Sequence, residues 1–396
     1  MSRTTFADLG VSAPVARALA EAGARRPFPV QALALPDALA GRDVLVRSPT
    51  GSGKTLAFAV PIVERLGPEA PTPSALVLAP TRELAAQVAE ALGAPAQARG
   101  LSVAVAYGGV PLREQARGAA RAHILVATPG RLEDLAARRL VDLSRVSVLV
   151  LDEADRMLDL GFQPQVDRIV RRLPGERQTM FFSATLDGEV GRLARAYTRA
   201  PARHEVAVPS PTAPGADHRF LPVDPHGKVE ALVELLAGER GLALVFVRTK
   251  RGADRLARKL RTRGVAAEAL HGDLAQAARE RALGRFAAGA VDTLVATDVA
   301  ARGLDLERIT HVVNFDPPED DKGYVHRVGR TARAGRAGTG VTFVTPDQRG
   351  DVGRMAARLE LREAFTGEGM AIPPPRLVFS GSKGRRSMLR KPTRRR

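Results

Sequence analysis

An alternation that runs, stops and starts again constrains this chain more than any other feature. Short apolar runs that read as buried strands are each followed by a stretch with helical spacing. Strands that are apolar on both faces and separated by helices build a parallel sheet covered by helices. In the first half the strand candidates are Asp43–Val46, Ala75–Leu78, Ser102–Ala106, His123–Ala127, Val146–Leu151 and Thr179–Phe182, with helical patterns such as Arg82–Leu92 among them. Ala200 to Gly215 interrupts the rhythm with Pro201, Pro209, Pro211 and Pro214, and reads as a linker. The rhythm resumes through Ala243–Val247, Ala266–Leu270, Thr293–Ala296, His311–Phe315 and Val341–Val344, with helical patterns at Arg251–Arg263 and Gln276–Phe286. The expected architecture is α/β: two tandem parallel-sheet domains at 1–205 and 218–372, a linker at 206–217 and a basic disordered tail at 373–396.

Charge narrows the partner. The 396 residues carry a net charge of +17. Nine Lys or Arg and no Asp or Glu fall between Arg376 and Arg396, which leaves +8 for the rest. Both parts point to a polyanion. Aromatic residues make up 4% of the chain, which argues against extensive base stacking and suits a grip on a phosphate backbone. With no cysteine, disulfides and thiolate metal sites are excluded, which fits a reducing, cytoplasmic setting. Met1 to Gly10 has no apolar core, so no secretory signal is expected, and no apolar run is long enough to span a bilayer. His123, His204, His218, His226 and His311 lack metal-ligand spacing, and Tyr107 and Tyr324 read as packing residues.

Three motifs carry chemistry. The first strand leads into Thr50-Gly51-Ser52-Gly53-Lys54-Thr55. Its glycines let backbone amides approach phosphate, Lys54 can reach the β- and γ-phosphates, and the Thr55 hydroxyl can bind Mg²⁺. The usual phosphate loop has glycine six positions before the lysine, where this chain has Ser48. The second motif, Asp152-Glu153-Ala154-Asp155, ends an apolar strand. There Asp152 can hold Mg²⁺ through its water shell and Glu153 can orient a water for in-line attack. The third contains Arg327, Arg330 and Arg333, three apart and so expected on one helical face. An arginine brought to a γ-phosphate counters charge developing in the transition state.

From about Phe6 to about Val344 the sequence resembles the DEAD-box ATP-dependent RNA helicases, motif after motif in the family's order. The resemblance implies two RecA-like domains. Phe28-Pro29-Val30-Gln31, with Phe6 upstream, resembles the adenine-reading motif, in which Gln31 reads the ring nitrogen and the amino group. Pro80, Thr81 and Arg82, then Gly109, then Thr128, Gly130 and Arg131 resemble the RNA-facing elements of the first domain. Ser183-Ala184-Thr185 resembles the motif that couples hydrolysis to closure, a role shared by Asp155. In the second domain, Gly272 of His271-Gly272-Asp273, with Gln276 and Arg279, and the run from Thr297 and Asp298 to Asp305 also match. That run implies RNA contact at Thr297 and Asp298 and ATP contact at Gly303 and Asp305. His326 is implied to meet the carboxylates of the DEAD tetrapeptide. Arg330 and Arg333 are implied as arginine fingers, and Arg327 as support for the interdomain network.

The chain departs from the common pattern at Ser48 and Pro49, at Ala275 in place of a serine and at Ala332 in place of a glycine. None of these removes a reacting group. The expected activity is an RNA-stimulated ATPase that separates short duplexes locally, with ATP and Mg²⁺ as cofactors. An ATP-gated RNA clamp and a DNA helicase of the same superfamily are the alternatives.

Overall fold

The structure is a computed structural model that describes residues 4–48, 52–186, 188–206, 215–238, 240–301, 308–332 and 336–374. The first domain is a seven-stranded sheet of β1 (Val44–Arg47), β2 (Ala75–Leu78), β3 (Val103–Ala106), β4 (Ile124–Ala127), β5 (Val148–Leu151), β6 (Gln178–Ser183) and β7 (Ala202–Glu205). All pairs are parallel, in the order β3-β4-β2-β5-β6-β1-β7. The second is a six-stranded parallel sheet of β8 (Ala216–Pro222), β9 (Leu242–Phe246), β10 (Ala267–Leu270), β11 (Thr293–Ala296), β12 (Ile309–Asn314) and β13 (Gly338–Val344), in the order β10-β11-β9-β12-β13-β8.

The period of two explains the core. In β2, Ala75 and Val77 join the apolar cluster on one face of the sheet, and Leu76 and Leu78 join the cluster on the other. Both faces are covered, so every residue of β2 is buried. The second sheet is likewise sandwiched, and a further cluster of Phe220, Tyr324 and Phe365 covers its β8 edge.

Two edge strands escape the sequence reading. β7 and β8 lie within or against the proline-rich stretch read as linker, and Ala216 and Asp217 of the expected 206–217 linker belong to β8. Their exposed and buried residues alternate, with polar side chains outward, so neither shows an apolar run. Residues 207–214, the middle of that linker, lie outside the described residues, as does the tail beyond Pro374. Among the described residues no helix is long and apolar enough to cross a membrane.

Candidate active site and strand-binding face

The nucleotide side is assembled at the carboxyl ends of β1, β5 and β6. β1 delivers Ser48, and the helix Lys54–Arg65 follows the loop. Lys54 is buried and its Nζ donates to the Ser48 carbonyl at 3.1 Å. The Ser48 and Ser52 hydroxyls are 2.5 Å apart, a link across the loop that an alanine at 48 could not make. Gln31 donates from Nε2 to the Gly53 carbonyl and accepts the Phe28 amide at Oε1, both at 2.8 Å. Gly53 sits at φ +85°, and a Cβ there would collide with the Phe28 ring. Phe28 is half exposed beside the loop, whereas Phe6, expected at the nucleotide, is packed into the core at 3% exposure. Thr50 and Gly51 lie outside the described residues.

β5 ends in the two carboxylates. Asp152 is 2% exposed and its Oδ1 has no partner among the described residues. Burial pushes its carboxyl up to about 7, Lys54 opposes the rise and Glu153 adds to it. Glu153 takes the left-handed conformation at φ +51° and pairs with Arg156. Burial works against its charge, but Arg156, Lys54 and Arg330 outweigh that and hold it below the usual carboxylate range. Ser183, at the end of β6, accepts the amides of Asp155 at 3.3 Å and Thr185 at 3.4 Å. Ser183, expected to couple hydrolysis to closure, is thus bonded to the backbone of the DEAD tetrapeptide itself.

The second domain meets this cluster with the helix Asp321–Val328. His326 lies against Arg156 and Arg330, and burial with those two cations and Lys322 lowers its pKa to about 3, so it is neutral. Arg330 is buried and donates to the His326 carbonyl at 3.3 Å. The expectation of one arginine face on one helix does not hold: the helix stops at Val328, and Arg330 stands in the turn beyond Gly329. Arg327 remains on the helix and is spent within its own domain. It grips Asp298 through two bonds, at 2.6 and 2.7 Å, and also donates to Asn314 and Asp316. Asp298, expected to face RNA, is therefore Arg327's partner. Arg333, Gly303 and Asp305 lie outside the described residues.

The expected strand-facing residues gather on the other side of the cleft. Thr81 caps the helix Arg82–Gln97 by accepting the Leu84 amide, and Thr128 precedes the helix Pro129–Ala137, which includes Gly130. Arg82 passes over Gly109, where a Cβ would strike its guanidinium, and donates to Gln276 of the second domain at 3.2 Å. Arg131 is tied to the Val110 carbonyl and Gln115. Pro80 follows β2, Gly272 follows β10, and Thr297 follows β11. These residues lie at the carboxyl edges of the two sheets, where open α/β sheets bind their ligands.

Residues 28–193 match the family model for DEAD/DEAH box helicases, and residues 227–335 match the helicase conserved C-terminal domain. The DEAD-box ATP-dependent RNA helicase CshA of Bacillus subtilis is 44% identical over 347 residues, covering 87% of this chain and 70% of that protein. This chain belongs to the DEAD-box ATP-dependent RNA helicases. The fold of this helicase superposes on Saccharomyces cerevisiae Dbp5 bound to RNA and ADP BeF3 with a TM-score of 0.81, at 30% identity, over 92% of this chain and 94% of that one. Against Dbp5 bound to nup159, gle1, ip6 and adp the score is 0.63, at 29% identity, over 91% and 94%. The domains of this helicase therefore sit more nearly as in the Dbp5 complex that holds RNA.

Three contacts of the helicase are absent from the sequence reading of the site. Arg156 directly follows the DEAD tetrapeptide, three residues beyond Glu153, which is the spacing of a helical ion pair. That spacing was the available signal. Glu83 and Arg279 form a nearly buried pair at 2.8 Å between the domains. Asp159 and Lys322 form a more exposed one at 3.0 Å. These two join residues far apart in sequence, and no local pattern announces them.

Proposed function

We propose that this helicase hydrolyses ATP in the seam between its domains and uses the cycle to part short RNA duplexes. The observation that carries this reading is Glu153. It belongs to the first domain and lies in the field of Arg330 from the second, so the base and the finger come together only when the domains close. Gln31 and Gly53 frame the adenine end of the site. Ser52, Gly53, Lys54 and Thr55, with Thr50 and Gly51, cradle the phosphates. Glu153 orients the attacking water and takes its proton, while Arg330, with Arg333, counters charge on the transferred phosphoryl group. Neutral His326 and the Ser183–Thr185 segment transmit closure to the carboxylates. Gly303 and Asp305 hold the ribose.

The unpartnered, buried Oδ1 of Asp152 and the Thr55 hydroxyl fit a Mg²⁺ ion held largely through water. When bound, that ion neutralises charge on the phosphates. Among the described residues no group of three or more His, Asp or Glu could hold a metal unaided.

RNA lies across Pro80, Thr81, Arg82, Gly109, Thr128, Gly130 and Arg131 of the first domain and Gly272 and Thr297 of the second, gripped by its backbone. A groove made by two domains fixes the path of one strand, which a rigid duplex cannot follow. ATP and RNA both favour closure, so each raises affinity for the other. The first domain extends to about 205, and the second begins with β8 at Ala216 rather than at 218. The basic tail adds RNA affinity, and the cysteine-free composition suits the cytoplasm.

The test is ATPase activity with and without single-stranded RNA, with Lys54→Ala as the control. RNA is expected to stimulate the whole chain, and the isolated first domain should be nearly inert. A first domain as fast as the whole chain would end the split-site reading.

A further inference from the structure

The helix Lys250–Arg261 carries more positive charge than its packing explains. Ala253, Leu256, Ala257 and Leu260 are buried on one side, and the helix packs on β10 and β11. Arg251, Arg255, Arg258 and Lys259 follow each other at spacings of four, three and one, which places them on one stripe of the opposite side. All four are exposed, and among the described residues none forms an ion pair with a carboxylate, although Lys259 lies in the field of Glu230. Some exposed helical arginines meet an Asp or Glu, as Arg168, Arg192, Arg354 and Arg358 do, whereas others, such as Arg113, Arg117 and Arg195, meet none among the described residues; what sets this helix apart is four such cations on one stripe.

At its start the charge is also placed against the helix's own stability, although Arg258 and Lys259 lie in the last turn, where cations favour it. The first turn holds Lys250 and Arg251 and no acidic residue, although cations at that end oppose the macrodipole. A local rule broken without a folding gain marks a functional surface. The position of the stripe indicates which function. Lys250 donates to Asp273 at 2.5 Å and its side chain runs beside Gly272. The stripe therefore starts at an element of the strand-binding face. From residue 251 to residue 259 it then runs about 12 Å, at 1.5 Å per residue, away from the helix start.

We infer that this stripe is a second RNA-binding surface, which grips the phosphates of the single-stranded flank beyond the segment held between the domains. The inference rests on the strand path proposed above and extends it along the second domain. It assigns the helix a backbone-directed, salt-sensitive role with no base selectivity.

The test uses the full chain with Arg255→Gln, Arg258→Gln and Lys259→Gln combined. These are exposed positions, and glutamine keeps helix propensity close to that of the residues replaced. Two RNAs are compared: the shortest strand that fully stimulates the ATPase, and one several times longer. With the short strand, affinity and stimulation should match the parent chain. With the long strand, affinity should fall, and the slope of log affinity against log salt should flatten by about 2, at roughly 0.7 per phosphate contact. An unchanged slope with the long strand overturns the inference, as does an equal loss with both strands. A triple glutamate variant should deepen the loss with the long strand alone; equal losses with both strands count against the stripe here too. If neither RNA stimulates the parent chain, the strand-path reading itself fails, a result distinct from either outcome above.

Discussion

The two seams between the domains are built on opposite electrostatic plans. On the strand side, Glu83 meets Arg279 and Arg82 meets Gln276, so charges and hydrogen-bonding groups are matched within the protein. On the nucleotide side, Lys54, Arg156 and Arg330 converge on two buried carboxylates, one of which is pushed toward its neutral form. The backbone differs as well. Gly109 at φ +88° serves the strand side, whereas the nucleotide side uses Glu153 at +51° and, two residues past Arg330, Ala332 at +54°. A matched seam is a clasp that closes on its own chemistry. A seam with surplus cations and a strained backbone is completed by a polyphosphate. Coupling follows because both seams join the same two domains, so whatever closes either seam prepares the other.

The sharpest way to break this contrast is Arg330→Ala. If the surplus charge serves the transition state, the variant should lose roughly 10³–10⁵ in ATP turnover. RNA affinity at saturating ATP should change far less. Steady-state ATPase and strand binding measured on the same preparation check this. Loss of RNA affinity as large as the loss of turnover would show that the seams are not specialised. Glu153→Gln should cost roughly 10²–10⁴ in turnover while ATP and RNA still bind, because the amide keeps the shape and lacks the base. Normal turnover would remove Glu153 from the mechanism.

On the strand side, Glu83→Gln should act in the reverse sense. It strands Arg279 in a closed seam, so RNA affinity and the RNA concentration for half-stimulation should suffer, with turnover at saturating RNA preserved. A double-mutant cycle with Arg279→Gln should report a coupling of roughly 0.5–3 kcal/mol. Additivity of the two changes would mean that the pair is a bystander.

The two seams also differ in how far the sequence foretells them. Phosphate loops and strand-end carboxylates are local, because backbone amides and adjacent side chains do the chemistry within a few residues. Lys54, Asp152 and Glu153 are legible for that reason. The sheets are legible where strands are buried on both faces, as in β2, and illegible at β7 and β8, where an edge position allows polar residues and prolines crowd nearby. The pairing of the strand-side clasp is invisible in one dimension: Glu83 and Arg279 are nearly two hundred residues apart, and although Arg279 belongs to a recognisable motif, nothing local joins it to Glu83. Equal spacing also misleads. Arg327 and Arg330 repeat like a helical face, but Gly329 ends the helix between them, which sends one to Asp298 and the other to the seam.

His326 ties the nucleotide seam to pH. In the closed form its pKa is about 3, lowered by burial and by Arg156, Arg330 and Lys322, with Glu153 opposing. Exposed in an open form it returns to about 6.5. At this residue the closed form then binds fewer protons, so the titration of His326 leaves closure unaffected above that value, whereas Asp152, raised to about 7 in the closed form, acts in the opposite sense. Below about 6.5, His326 weakens closure by up to about tenfold per pH unit, down toward its closed-state value. Interdomain distance measured with ATP and RNA across pH 7.5 to 5.5 should show opening on the acid side, and His326→Gln should flatten that response. A variant that opens along the same curve would place the titration elsewhere.

The smallest effect concerns Ala332. A residue with a Cβ at positive φ carries a steric cost of about 1–2 kcal/mol, which glycine avoids, although glycine gives up unfolded-state entropy in exchange. Gly338, across the same turn, already lacks a Cβ because one there would strike the Thr331 side chain. The turn that carries Arg330 is therefore tight on both sides and strained on one. Ala332→Gly should raise thermal stability by the difference, about 0.5–1 kcal/mol. If strain on the nucleotide side helps to hold Arg330 in place, relief should loosen the turn and lower turnover modestly while the protein melts later. A later melting point with unchanged turnover would mean that the strain is an accident of this sequence. Earlier melting would mean that the alanine methyl makes contacts worth more than its conformation costs.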